Sequence, residues 1–293
     1  MYYLVFILVK LFSLLPFWIL YLLSDFTYLI VYYIAGYRKK VVRDNLLKSF
    51  PEKTPKERKE IEQKFYHHFC DLFFESLKLM SISKDEILRR MKFIDYEPLL
   101  KHYDEGRSVM MMPSHYGNWE WASTFSLLLP EDKPMVQVYK KLSSKISDRL
   151  VYILRCRFGS KNIEMRDFYK TLLNLKAGGK LAMFGMISDQ SPSRNNIKYR
   201  TQFLNQYTPV INGTEQIACK FDYPVYYGQI KKIKRGYYNL TLIPIALQPK
   251  NTRQNEITEK YIRMLEKDII AEPAYWLWSH KRWKHVNKSN PTL

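Results

Sequence analysis

Met110-Met111-Met112-Pro113-Ser114-His115-Tyr116-Gly117-Asn118-Trp119-Glu120 reads as a strand, a sharp turn and the start of a helix. The short apolar run Ser108–Met112 is stopped by Pro113, so His115 falls just past the C-terminal end of a strand. Positions five apart on one regular helix point about 140° away from each other. His115 and Glu120 therefore meet only if His115 lies in the turn and Glu120 in the first helical turn. Gly117 and Asn118 are the residue types that tolerate such a bend. A histidine backed by a carboxylate is a general base: the carboxylate accepts the Nδ1 proton, fixes the tautomer and stabilises the imidazolium formed at Nε2. The chain has no G-x-S-x-G nucleophile turn. A base at His115, oriented by Glu120, would then activate an acceptor hydroxyl directly, without an acyl-enzyme.

Outward from this segment the pattern alternates. Strands are predicted at Met135–Tyr139, Lys180–Ile187, Val225–Gln229 and Tyr238–Ile243, with helices at Trp119–Leu128, Ser144–Arg157, Phe168–Lys176 and Thr214–Phe221. Such alternation predicts an α/β fold, a largely parallel central sheet flanked by helices, with reactive groups gathered at the strand C-terminal ends. Thr54-Pro55-Lys56-Glu57 opens a further helix: Thr54 as N-cap, Pro55 at the first position, Glu57 closing a capping box. Ile61, Phe65, Phe69, Leu72, Phe73, Leu77 and Met80 continue it at helical spacing. His67 and His68 are adjacent and face different sides of that helix, which points to packing or surface roles rather than a metal pair.

From Met1 to Tyr37 the only charged side chains are Lys10 and Asp25. Neither uncharged run reaches the roughly 20 residues needed to cross a bilayer core alone. Together they predict one tilted or bent span, or a span followed by an interfacial helix. No basic segment precedes the apolar stretch and no small-residue cleavage site follows it, unlike a secretory signal. Arg38, Lys39, Lys40 and Arg43 come directly after, which places the body of the protein in the cytoplasm by the positive-inside tendency. The expected organisation is a membrane anchor over 1–37 and a cytoplasmic α/β domain over 38–293.

The formal charge is +19, from 47 basic and 28 acidic residues, and an excess of that size points to anionic partners. With 23 Tyr and 16 Phe, the composition also suits a lipid–water boundary. No zinc-finger, helix-turn-helix or RNP-like motif accompanies the charge, so nucleic acid is not the expected partner. Cys70, Cys156 and Cys219 are widely spaced and form no C-x-x-C pair, which indicates neither a disulfide framework nor a metal site.

The His115–Glu120 segment resembles the H-x-x-x-x-D/E motif of the glycerolipid acyltransferase superfamily. With Asn118-Trp119-Glu120 it is most similar to the late acyltransferases of lipid A biosynthesis, the lauroyl/myristoyl transferases of Gram-negative bacteria. Other stretches agree in order and spacing. Asn45-Leu46-Leu47-Lys48-Ser49-Phe50-Pro51 resembles that family's N-L-x-x-x-F-P; Ser188-Asp189-Gln190 resembles its D-Q strand end. Asn212-Gly213-Thr214 resembles the Gly/Thr turn that opens a family helix, and Trp276 to Lys284 resembles its C-terminal W-x-W-x-H-x-R-W-K. Phe203-Leu204-Asn205 departs from the family's F-F-G or F-L-G, a difference bearing on the acyl pocket.

The resemblance implies transfer of a fatty acyl chain from acyl carrier protein to a hydroxyl on a lipid A precursor at the inner membrane, with no cofactor. His115 and Glu120 would be catalytic. Asn118, Asp189, Gln190 and Arg282 would bind substrate, as would Arg157 and Arg166, which fall where the family carries an arginine. His280 and Lys284 would add cations for phosphate. An acidic carrier protein, a phosphorylated lipid and an anionic leaflet would all suit the positive charge. Two other readings share parts of this pattern: acylation of another lipid acceptor, and a non-catalytic membrane-tethered binder of acidic partners.

Overall fold

A computed structural model describes residues 2–286. In chain order, α1 (Tyr2–Leu14), α2 (Phe17–Tyr28), α3 (Lys39–Ser49), α4 (Pro55–Lys78) and α5 (Lys84–Arg90) precede β1 (Met91–Ile94), α6 (Glu97–Asp104) and β2 (Val109–Pro113). There follow a 3-10 helix Trp121–Leu128, β3 (Met135–Tyr139), α7 (Lys145–Cys156), β4 (Lys161–Glu164), α8 (Phe168–Ala177) and β5 (Met183–Gly185). The chain continues with β6 (Tyr199–Phe203), β7 (Gln206–Val210), α9 (Gly213–Phe221), β8 (Val225–Lys234), β9 (Tyr237–Ala246) and α10 (Glu256–Ala271).

Seven strands form one sheet in the order β1-β9-β8-β2-β5-β3-β4. Every neighbouring pair is parallel except β8–β9, a hairpin. The expected α/β class, with a largely parallel sheet between helices, is therefore the observed one. β2 has buried residues at all five positions, the pattern of a central strand covered on both faces. One core, with Phe65, Tyr66, Leu172, Tyr261, Ile262 and Trp278, lies on one side of the sheet. A second, with Ile87, Leu99, Trp121, Phe125 and Leu240, lies on the other.

Both the capping box and Pro55 at the start of α4 form as the sequence predicts, with Thr54 Oγ1 accepting from the Glu57 backbone and Glu57 accepting from the Thr54 N–H. Predicted strand and helix positions hold with shifted ends. Lys180–Ile187 shortens to three strand residues, whereas Val225–Gln229 extends to Lys234 around the hairpin. β1, β4, α6 and α10 were not among the predicted elements, although Ile257, Tyr261, Ile262, Leu265 and Ile269 on α10 follow helical spacing. Phe203-Leu204-Asn205 becomes the tip of the two-stranded β6–β7 hairpin: Leu204 and Asn205 both take left-handed φ values, 48° and 62°. Asparagine there does what glycine does in the related motif, because its short polar side chain tolerates that region. Its Nδ2 also donates to the Ser49 carbonyl, 3.0 Å away.

Phe17–Ile34, α2 running on through a π-helical turn, is long and apolar enough to cross a membrane. Pro16 separates it from the shorter apolar α1. Both helices pack along α4.

Candidate functional site

β2 and β5 are adjacent and parallel, so the residues that follow them emerge side by side at one sheet edge. This brings His115 to Asp189 although 74 positions separate them in the chain. The turn after β2 is fixed from several sides. The His115 carbonyl accepts from the Leu277 N–H at 3.1 Å, and the Gly117 N–H donates to the Tyr275 carbonyl at 2.9 Å. Gly117 has φ +59°, and a Cβ there would lie 2.6 Å from Ile230 Cγ2, so only glycine fits. His68 is buried and donates from Nε2 to the Gly117 carbonyl at 3.2 Å, while Lys232 Nζ lies 3.3 Å from its Nδ1. Burial, aided by the Lys232 charge, pushes the His68 pKa down to about 3, so this ring is a neutral support for the turn.

Asp189 is 1% exposed and its carboxylate accepts three hydrogen bonds. His115 Nδ1 is 2.7 Å from Oδ1; the His115 backbone N–H and Trp276 Nε1 donate to Oδ2 at 3.0 and 2.8 Å. Burial opposes the charge, but the His115 imidazole and these donors more than offset it and hold the carboxyl below the ordinary range. An ionised Asp189 requires the proton on Nδ1, which leaves the Nε2 lone pair free to accept. Gln190 Nε2 approaches it at 3.2 Å and sits where it donates to that lone pair. The His115 side chain remains 20% exposed, enough for a substrate to reach.

The contact expected between His115 and Glu120 is not made. Glu120 lies just before the 3-10 helix, not within a regular helical turn, and its carboxylate faces α7. There Arg155 grips it through two bonds, Nε–Oε2 at 2.8 Å and Nη2–Oε1 at 2.6 Å, while Trp119 Nε1 donates at 3.1 Å. Burial opposes the Glu120 charge, yet the Arg155 guanidinium outweighs it and holds the carboxyl below its usual range. His115 is close enough to act on the same carboxylate through space. The site thus has an imidazole–carboxylate pair, His115–Asp189, flanked by a carboxylate–guanidinium pair, Glu120–Arg155. Neither Asp189 as the imidazole's partner nor Arg155 was assigned these places from the sequence. The D-Q strand end flagged Asp189 as a site residue. Helical phase could have found Arg155, which follows Leu154, the one buried position of α7.

An acyltransferase family model described as bacterial lipid A biosynthesis acyltransferase matches residues 1–285. The chain belongs to this family. Over 174 residues it is also 23% identical to a lipid A biosynthesis acyltransferase of Haemophilus influenzae (strain ATCC 51907 / DSM 11121 / KW20 / Rd). That match covers 59% of this chain and spans about half, 53%, of the relative's length.

Set against the family resemblance, the remaining expected site residues divide. Gln190 reaches the His115 imidazole. Asn118 is wholly buried and touches no open surface: Oδ1 accepts from the Trp121 N–H at 3.1 Å and Nδ2 donates to Glu75 at 2.7 Å, so it caps the 3-10 helix. Arg157 ends α7 and donates to the Leu79 carbonyl at 2.5 Å, away from Glu120. Arg166 is largely exposed and pairs with Glu164 and Asp167. Arg282 is fully buried rather than facing phosphate; it donates to Thr208 Oγ1 at 3.0 Å and stands over the Phe203 ring. Burial lowers its pKa to about 10, and the nearby Asp189 charge works against that, so it stays a cation at neutral pH. His280, by contrast, is no cation at neutral pH. Burial pushes it down to about 4, and its Nε2 lies 3.5 Å from the Ser191 N–H. Trp276 and Trp278 do not extend the sheet; one bridge, Tyr116 to Trp276, and the Trp276 bond to Asp189 tie this segment to the turn.

Proposed function

We propose that this protein transfers a fatty acyl chain from an acyl carrier protein thioester to a hydroxyl of a lipid A precursor, at the cytoplasmic face of the inner membrane of a Gram-negative bacterium, without a cofactor. The observation that carries the chemistry is the 2.7 Å bond from His115 Nδ1 to Asp189, which leaves Nε2 as the acceptor at an accessible strand edge. As the acceptor hydroxyl replaces Gln190 Nε2 at that lone pair, His115 Nε2 takes its proton and the oxygen attacks the thioester carbonyl. Asp189 holds the tautomer and stabilises the imidazolium. When the tetrahedral intermediate collapses, the carbon–sulfur bond breaks and the imidazolium returns its proton to the departing thiolate. Arg155, held by Glu120 on the same rim, is the fixed cation suited to the developing oxyanion, and in a partly buried site such a donor is worth far more than in water. Glu120 is then a positioning residue rather than the partner of the base.

The net charge of +19 supports an acidic carrier protein and an anionic leaflet as partners, and the apolar N-terminal helices support a membrane location. The test is mass spectrometry of lipid A from cells with the gene, without it, and complemented by His115→Ala. Loss of one secondary acyl chain in the deletion, not restored by a stably expressed His115→Ala protein, is the expected result. Unchanged lipid A in the deletion would overturn the acceptor assignment, and full complementation by His115→Ala would overturn the mechanism.

A further inference from the structure

Two sides of the N-terminal helices carry opposite chemistry. Outward, Leu4, Leu11, Trp18, Leu22, Phe26 and Tyr33 are 57–65% exposed, a continuous apolar row that the described residues leave uncovered. Inward, the same helices are bolted to the domain by polar groups. Ser24 donates to Asp71 at 2.8 Å and Tyr21 to Glu75 at 3.0 Å; Lys78 Nζ donates to the Ser13 and Leu15 carbonyls at 2.8 and 2.7 Å. Arg235, at the tip of the β8–β9 hairpin, bridges Asp25 on α2 and Asp71 on α4.

Phe17–Ile34 is 18 residues, about 27 Å at 1.5 Å per residue, close to the thickness of a bilayer core. Asp25 stands at its midpoint. If this helix crossed the bilayer while docked, Asp25 and Arg235, with side chains 45% and 37% exposed, would lie at mid-membrane beside Lys232 and Lys234. A charge there is disfavoured even on insertion-based scales. Undocking would instead take Ser24 from Asp71, Tyr21 from Glu75 and Asp25 from Arg235. Resting on the membrane reading above, we infer that α1 and α2 do not span: they lie in the plane of one leaflet, still docked on α4, with the apolar row in the acyl region. Arg38 and Lys40, exposed at the end of the row, meet anionic headgroups.

Nitroxide labels at Trp18→Cys, Phe26→Cys and Tyr33→Cys in the full chain, with Cys156 and Cys219 changed to Ser and the buried Cys70 kept, read this directly. On phosphatidylglycerol/phosphatidylethanolamine vesicles, oxygen-versus-nickel collision rates give each label's depth. In-plane helices place all three labels within a few ångströms of one depth. A span places the central label about 10 Å deeper than the other two, because each lies seven or eight residues away, and that result would overturn the inference. Should the protein neither float with vesicles nor shield any label, the membrane reading itself fails and the inference with it. A second measurement leaves the helices untouched. An epitope tag before residue 1 resists protease in intact spheroplasts and is cut only after lysis if the helices lie in plane; cleavage before lysis would refute it.

Discussion

Asp189→Asn is the substitution that most directly separates the observed site from the one expected of a His-x-x-x-x-Glu motif. Oδ2 accepts two N–H groups, from His115 and Trp276, while Oδ1 accepts one, from His115 Nδ1. Asparagine keeps one carbonyl oxygen, and the two-to-one count of donors places it at the Oδ2 position. Its NH₂ group then faces Nδ1, which must become the acceptor, and the ring proton moves to Nε2. That tautomer cannot take a proton from the hydroxyl. The lost charge-assisted bond to the imidazolium is worth about 1.5–3 kcal/mol, or roughly 10- to 150-fold in rate. Loss of the base adds to this, since general-base catalysis contributes about 10²–10⁴-fold. The two factors multiply to about 10³–10⁶-fold, so kcat should fall by at least about 10³-fold, with KM and melting temperature little changed because two of the three bonds survive. Steady-state kinetics with acyl carrier protein thioester and a purified lipid acceptor measure it. If Asp189→Asn kept kcat within about tenfold of the parent while Glu120→Gln abolished it, Glu120 would be the partner of the base after all.

Three further outcomes are expected. Glu120→Gln should lower kcat by about 10–100-fold by loosening Arg155, and Arg155→Ala should match or exceed it; a double variant no worse than Arg155→Ala alone would show that Glu120 acts through Arg155. Gly117→Ala should cost at least about 1–3 kcal/mol in urea unfolding, from left-handed strain and the crowding against Ile230 Cγ2, and Ile230→Ala should return part of it. The third concerns pH. Burial and the neighbouring Asp71 raise the Glu75 pKa to about 7, so between its unfolded value and pH 7 the folded state binds more protons than the unfolded one. Its contribution is therefore favourable at low pH and lost as pH rises towards 7, by about 3 kcal/mol at most. Glu75→Gln should flatten that slope in unfolding measured from pH 5 to pH 8. Asp189 and Glu120, both depressed, have the opposite sign: their stabilisation is present at neutral pH and disappears on acidification.

Local chemistry determined much of this protein. A proline-stopped apolar run, a Gly-Asn turn and a Thr-Pro-x-Glu cap each specify their structure within a few residues, so the strand before His115, the bend at Gly117 and the start of α4 were legible in sequence. His115 was legible as the candidate base for the same reason: the turn itself places it at a strand end. What sequence could not give was its partner. Five residues along the chain, Glu120 looked like the nearest carboxylate, but a carboxylate's direction depends on what attracts it, and Arg155 on α7 does so. Asp189 arrives from 74 residues away because β2 and β5 are neighbours, a fact of strand order that no local pattern encodes. Asn118 and Arg282 read as ligand contacts because the family resemblance implied it; only packing showed that one caps a helix and the other is sealed beneath the site. The apolar composition of residues 1–37 likewise announced a lipid-facing segment, while the side that is bolted to α4 through Ser24, Asp25 and Tyr21 emerged only once α4 and the β8–β9 hairpin were in place.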